Sequence, residues 1–209
     1  MPRVRVHQHV NPLSPFYCIA PKPLVIENLF AEPELPLHLD IGCARGRFLL
    51  KMAQAVPDCN YLGVEIREPL VDEANRLAKE KNLVNLHYEF NNATHSLDVL
   101  LENLPSVLQT VTIQFPDPWF KKKHAKRRMV KDNLVETVVK HLRVGGRIFV
   151  QTDIEFLAKE MFALFRENEK LREIEINENP FPVKTERETA VEDKDLPVYR
   201  SLFEKTNIH

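Results

Sequence analysis

The groups in this chain best suited to chemistry lie in residues 114–128, QFPDPWFKKKHAKRR. A short apolar run ends in Pro116-Asp117-Pro118-Trp119-Phe120. Asp117 is a carboxylate between two prolines. Proline fixes its own φ and restricts the residue before it, so this carboxylate sits on stiff backbone. Trp119 and Phe120 offer stacking faces beside it. Lys121, Lys122, Lys123, His124, Lys126, Arg127 and Arg128 follow at once, six Lys or Arg in eight residues. Carboxylate, aromatic face and phosphate grip, in that order, point to chemistry on a nucleic-acid base. The blander readings are that Trp119 caps the core under a loop and that the basic run is a solvated helix face.

A second constellation lies upstream. An apolar run leads into Asp40-Ile41-Gly42-Cys43-Ala44-Arg45-Gly46, and a helical pattern follows. Gly42 and Gly46, with Ala44 between them, let backbone approach a ligand closely. A tight β-to-α turn with no ligand would look the same. Asp40, just before the first glycine, is an acid where a pyrophosphate binder would not want one. It suits a cationic ligand, such as a sulfonium and its amino group. Glu65 ends the next apolar run, about 20 residues past the glycines, where an acid accepts from ribose hydroxyls. Acid, glycine turn and second acid fit S-adenosylmethionine better than a dinucleotide. Asn91 and Asn92 end a third run, where adenine would lie, and an Asn pair is also ordinary turn chemistry.

These residues need elements to carry them. Buried strands are predicted over 37–41, 60–66, 84–90, 109–115 and 147–153, with two late strands over 171–177 and 199–206. Helical spacing covers 47–56, 69–82, 95–104, 132–143 and 155–168, the fourth stopped by Gly145-Gly146. Strict β-α alternation implies a doubly wound, mostly parallel seven-stranded sheet, Rossmann-like, with ligands at the carboxyl ends of its strands. Residues 1–23 read as an extended N-terminal arm and 24–209 as the catalytic core of one domain. The acidic stretch from Glu186 to Asp195 reads as solvated loop.

Composition narrows the class. The chain has 209 residues, 44% hydrophobic and 28% charged, ordinary for a soluble domain. No apolar run approaches a membrane span, and the basic N-terminus lacks the apolar stretch of a secretory signal. Three cysteines cannot all pair and lack zinc-ligand spacing, so no metal is expected and a reducing, cytoplasmic setting is the simplest reading. His7, His9 and His124 have no metal-like partners. Net charge is only −1, so a polyanion must be gripped by local clustering.

With these pieces placed, the chain resembles the tRNA (guanine-N7-)-methyltransferase family, bacterial single-chain type, over nearly its whole length. HQHVNPL (7–13), DIGCARGRF (40–48), GVEIRE (63–68), FPDPWFKKKHAKRR (115–128), QTDIEF (151–156) and the Thr-x-x-Glu at 185–188 carry the resemblance. The family more often has Glu at position 40 and Gly at position 44. The resemblance implies the S-adenosylmethionine-dependent methyltransferase fold, tRNA as partner, and methylation of a variable-loop guanine (position 46) at N7. It implies cofactor contacts at Asp40, Glu65, Asn92 and Asp117. Substrate contacts would be Lys121, Asp153, Thr185, Glu186, Arg187 and Glu188. Asp153 could simply cap the helix that follows, a role compatible with a substrate contact. No obligatory protein partner is expected, and monomer and homodimer stay open.

Guanine N7 has a lone pair and no proton, so its methylation needs no general base. Alignment and electrostatics must supply the rate. The product ring is cationic, which makes Asp117 the candidate catalytic group. Three rivals stand against this reading. An amino-group methyltransferase carries an acid or Asn before Pro-Pro and an aromatic, whereas the order here is Pro-Asp-Pro-Trp. A catalytically inactive RNA-binding module has no use for acids at 40, 65 and 117. An NAD-linked dehydrogenase needs a third small residue where Phe48 breaks the register.

Overall fold

The computed structural model describes residue 6, residues 10–104 and residues 107–207. His7 and His9 lie outside them. Seven strands form one sheet: β1 (Leu37–Ile41), β2 (Asn60–Glu65), β3 (Leu86–Phe90), β4 (Leu108–Gln114), β5 (Leu142–Thr152), β6 (Leu171–Ile174) and β7 (Tyr199–Lys205). Their order is β3-β2-β1-β4-β5-β7-β6. The first five run parallel, and β7 is antiparallel to both β5 and β6. The order reverses between β1 and β4, and in such sheets the crevice outside the strand ends at that point takes the ligand.

Period-two alternation assigns the strand residues to faces. Leu37, Leu39, Ile41, Val111, Ile113, Ile148 and Val150 join one core cluster. There they meet α3 (Ala93–Leu100), α4 (Asp132–His141) and α5 (Glu155–Arg166). The opposite cluster joins Tyr61, Leu86 and Tyr88 to α1 (Arg47–Ala55) and α2 (Glu68–Glu80). In α1 the buried side chains are Phe48, Leu49, Met52 and Ala53, the i, i+1, i+4, i+5 stripe of an amphipathic helix. Several strand residues on the other face are polar and buried, namely His38, Asp40, Thr112 and Gln151.

Three elements differ from expectation. α4 ends at His141, and β5 begins at the next residue. Gly145, at φ 74°, therefore bends the strand instead of stopping the helix. The β4–β5 register shifts beside it, between Leu108 and Thr110. Lys122–Arg127 forms a 3-10 helix. The acidic stretch expected as loop contains α6 (Glu186–Glu192). Its capping box, Thr185 to Glu188, is visible in the sequence as Thr-x-x-Glu.

Candidate active site

The turn after β1 is a run of left-handed backbone: Gly42 at φ 78°, Ala44 at φ 51° and Gly46 at φ 68°. Gly42 N–H and Cys43 N–H donate to Val64 O at 2.8 and 3.1 Å, tying the turn to β2. Ala44 occupies a conformation that costs an L-residue roughly 1–2 kcal/mol. Its N–H donates to Glu65 Oε2 at 2.9 Å, which helps hold it there. Gly46 serves differently from the expected cofactor contact. It is the N-cap of α1, outside the cavity wall, and a Cβ there would meet the Tyr88 ring at 2.4 Å.

A cavity of about 800 Å³ opens at the strand ends. Asp40, Gly42, Ala44, Glu65, Asn92, Asp117, Trp119, Asp153, Thr185, Glu186 and Arg187 all contribute to its wall. Burial pushes the Asp40 carboxyl up to about 6, against the pull of hydrogen-bond donors on β4. Thr112 Oγ1 donates to its Oδ1 at 2.6 Å. Glu65 accepts from Arg67 at Nε (2.8 Å), Nη2 (3.0 Å) and backbone N–H (3.0 Å). Sequence patterns do not single out Arg67, although it lies inside GVEIRE. Asn92 is both a turn residue and a wall residue. Its Oδ1 accepts from Thr94 N–H at 3.3 Å, and its Nδ2 donates to Pro12 O at 2.8 Å. That bond draws the N-terminal segment across the cavity, where Val6, Val10 and Pro12 join the wall.

The Pro-Asp-Pro loop leaves β4 through two further left-handed residues, Phe115 at φ 51° and Trp119 at φ 44°. Such positions in bulky residues persist only where surroundings impose them. Arg128 supplies part of that constraint. It donates from Nε to Pro118 O at 3.0 Å and from Nη2 to Trp119 O at 3.4 Å, while Nη1 reaches Glu160 at 2.6 Å. Arg128 thus fastens the loop, which corrects its assignment to the phosphate-gripping set. Arg127 stacks on Trp119 at 4.9 Å, and His124 meets the same ring edge-on at 5.7 Å. Lys121, Lys122, Lys123 and Lys126 are exposed. Phe120 is 67% exposed and rests edge-on against Phe156, 5.9 Å away.

α6 brings the late motif to the cavity mouth. Thr185 Oγ1 accepts from Glu188 N–H at 3.0 Å. Arg187 pairs with Asp153, and Glu186 pairs with Arg47. Lys121 lies outside the cavity wall as an exposed residue, and Glu188 is the one buried residue among the expected substrate contacts. It is completely buried, outside the cavity wall. It accepts from Gln151 Nε2 at 3.0 Å, Asn179 Nδ2 at 2.8 Å and Arg200 Nη2 at 2.9 Å. Its carboxylate secures the start of α6 within the fold. Asp153 does not cap α5. The N-cap is Ile154, with no side chain capping the helix, and its own N–H donates to Thr152 Oγ1 at 3.2 Å. Among the described residues, no group of three His, Cys, Asp or Glu could hold a metal ion, and no helix is long and apolar enough to cross a membrane.

The donor set fits S-adenosylmethionine. Asp40 and Glu65 put acids at two adjacent strand ends of one cavity, and the glycine turn lies between them. The methyltransferase family model Methyltransf_4 matches residues 34–201. The chain is 53% identical over 210 residues to the tRNA (guanine-N(7)-)-methyltransferase of Trichormus variabilis, covering 98% of each chain. It is 52% identical over 207 residues to the enzyme of the same name from Synechococcus elongatus, covering 97% of each. Among solved structures it is similar to the antibiotic-resistance methyltransferase Kmr, with a TM-score of 0.57, 16% identity, and coverage of 87% of this chain and 90% of that one. It is also similar to the YcgJ protein of Bacillus, with a TM-score of 0.58, 16% identity, and coverage of 84% and 94%. At that identity the two structures show the fold alone. The sheet order with its antiparallel β7 is that of an S-adenosylmethionine-dependent methyltransferase, and the chain belongs to the tRNA (guanine-N7-)-methyltransferase family.

Proposed function

We propose that this protein transfers a methyl group from S-adenosylmethionine to N7 of a guanine in tRNA, and that the guanine lies in the variable loop. The observation that carries the reading is the meeting of three carboxylates, Asp40, Glu65 and Asp117, in one cavity beside an exposed lysine ridge. When bound, the cofactor supplies a methyl group on a positively charged sulfur. Asp40 takes its ammonium and Glu65 its ribose hydroxyls, while Gly42 and Ala44 leave room for close backbone approach. Asp117 stands where positive charge grows on the base. A fixed carboxylate there favours the transition state over the neutral substrate, and no residue has to remove a proton from N7.

Lys121, Lys122, Lys123 and Lys126 hold phosphates. Trp119 and Phe120 offer faces to a base drawn out of the tRNA core, and such stacking is worth ~1–3 kcal/mol per base. Thr185, Glu186 and Arg187, with Asp153, form the far lip against which the RNA seats. The enzyme works in the cytoplasm without an obligatory protein partner.

The deciding experiment is incubation of the purified protein with unmodified tRNA and S-adenosylmethionine, followed by nucleoside mass spectrometry. The expected product is 7-methylguanosine from the variable loop. Methylation of an exocyclic amine, or RNA binding with no product, would replace this reading with one of its rivals.

A further inference from the structure

His38 is a buried imidazole that the methyl transfer leaves unused. It sits on β1 two residues before Asp40, on the same face of the sheet. Its ring lies among Phe181, Tyr61 and Phe48, at 5.3, 5.5 and 6.0 Å between centroids. Among the described residues, one polar contact leads out of this aromatic nest: Nε2 lies 3.0 Å from Thr112 Oγ1. Thr112, on β4 opposite Asp40 in the register, donates to Asp40 Oδ1 at 2.6 Å. His38, Thr112 and Asp40 thus form a chain that crosses two strands and ends in the cavity wall. All three are buried.

The direction of that chain follows from proton counting. A threonine hydroxyl has one proton and an ionised carboxylate has none to give. With Asp40 ionised, the hydroxyl proton must point to Oδ1, and Thr112 Oγ1 must accept from His38. The imidazole proton is then on Nε2. With Asp40 protonated, both bonds can run the other way and the proton moves to Nδ1. Burial lowers the imidazole pKa to about 3, so the ring is neutral near neutral pH.

A second donor stands beside the same carboxyl. Gln114, two residues beyond Thr112 on β4, interacts with Asp40, yet its Nε2 is buried and completes no hydrogen bond of ordinary geometry among the described residues. Its Oε1 accepts from Gln151 Nε2 at 2.8 Å, which orients the amide. Two side chains of β4 thus face the Asp40 carboxyl, and of these Thr112 hydrogen-bonds to it.

We propose that His38 is a positioning residue for cofactor binding. Acting through Thr112, it directs both hydrogen bonds toward Asp40 and aims that carboxylate at the α-ammonium of S-adenosylmethionine. This rests on the assignment of Asp40 to that ammonium. A polar pair that only satisfied itself in the core would affect stability and every ligand of the cavity alike. A relay serving Asp40 affects only ligands that carry the amino-acid end.

The test compares S-adenosylhomocysteine with 5′-methylthioadenosine, which keeps the nucleoside and sulfur but lacks the amino acid. Calorimetric titration is run on the parent, Thr112→Val, His38→Leu, His38→Gln and Asp40→Asn. Thr112→Val keeps the shape and removes only the hydroxyl, so folding is least at risk there. The expected result is a loss of S-adenosylhomocysteine affinity of about tenfold in Thr112→Val and His38→Leu. Methylthioadenosine affinity stays unchanged, and the side-chain N–H of His38→Gln restores the homocysteine ligand. Nitrogen-15 spectra of the imidazole in the complex should show the Nε2-protonated tautomer. Equal losses for both ligands, no loss in Thr112→Val, or the Nδ1-protonated tautomer would overturn the relay. If Asp40→Asn weakens S-adenosylhomocysteine and the other variants do not, the relay alone falls. If Asp40→Asn also binds normally, the assignment of Asp40 falls with it.

Discussion

Arg67 closes on Glu65 side-on, with Nε donating to Oε1 at 2.8 Å and Nη2 to Oε2 at 3.0 Å, while the Ala44 N–H takes Oε2 from the other side at 2.9 Å. The carboxylate that is to accept ribose hydroxyls is already spoken for. On the proposed assignment, ribose hydroxyls would have to exchange with these partners at Glu65, with a net gain smaller than two new hydrogen bonds would suggest. Glu65→Ala should weaken S-adenosylhomocysteine binding by ~1–3 kcal/mol and leave tRNA binding intact. Calorimetric titration checks it. Unchanged affinity in this variant would remove Glu65 from the cofactor site.

The basic run should divide into two kinds of cation. Replacing Lys121, Lys122, Lys123 and Lys126 by Gln should flatten the dependence of tRNA affinity on salt by about 0.9 for each phosphate no longer neutralised. Cofactor affinity should stay. Arg128→Ala should leave that slope alone and lower turnover, because its guanidinium is committed to the Pro118 and Trp119 carbonyls and to Glu160. Filter binding across a salt series separates the two. A parental slope in the lysine variant would make the ridge a bystander.

Asp117→Asn keeps the size of the side chain and removes its charge. Single-turnover methylation at saturating tRNA and cofactor should slow by ~100-fold or more, in line with the loss of one preorganised electrostatic group. Fold and tRNA affinity should change little, because the flanking prolines and the lysines remain. A rate near the parent's would move the search to Asp153, which also lines the cavity.

Burial raises the Asp40 carboxyl from 3.8 to about 6, with Glu65 adding to the rise and Thr112 and Gln114 opposing it. The ammonium it is to hold needs a carboxylate. Affinity for S-adenosylhomocysteine should therefore climb as pH rises through about 6 and level off above. Stability of the free protein should run the other way. A folded-state pKa above the unfolded value means the native state holds the proton more tightly, so stability falls as pH rises from about 4 to about 6. Turnover at saturating cofactor should be flat over the neutral range, since N7 has no proton to lose. Titrations and melts from about pH 4.5 to about pH 8 test both slopes, and Asp40→Asn should abolish them.

Much of this protein is legible in the chain itself, because local patterns carry it. Strand and helix periodicity marks β1 to β5 and the helices between them, and the acid-glycine-acid order names the cofactor class. The Pro-Asp-Pro-Trp block marks the loop that brings a carboxylate to the cavity wall. What the sequence leaves open is decided by partners far apart in the chain. Arg128 and its neighbouring cations look alike in one dimension, and only the approach of Glu160 from α5 shows that one of them is structural. Glu188 reads like its acidic neighbours until Arg200, Gln151 and Asn179 converge on it. Gly145-Gly146 reads as a helix stop because local propensity cannot see that β4 pairs with the residues beyond it. Thr112 is 74 positions from His38 and meets His38 and Asp40 only through the pairing of β4 with β1. Periodicity is written residue by residue and survives in the sequence. Pairing energy depends on which strands the fold sets side by side, and that is settled only when the whole sheet closes around its core.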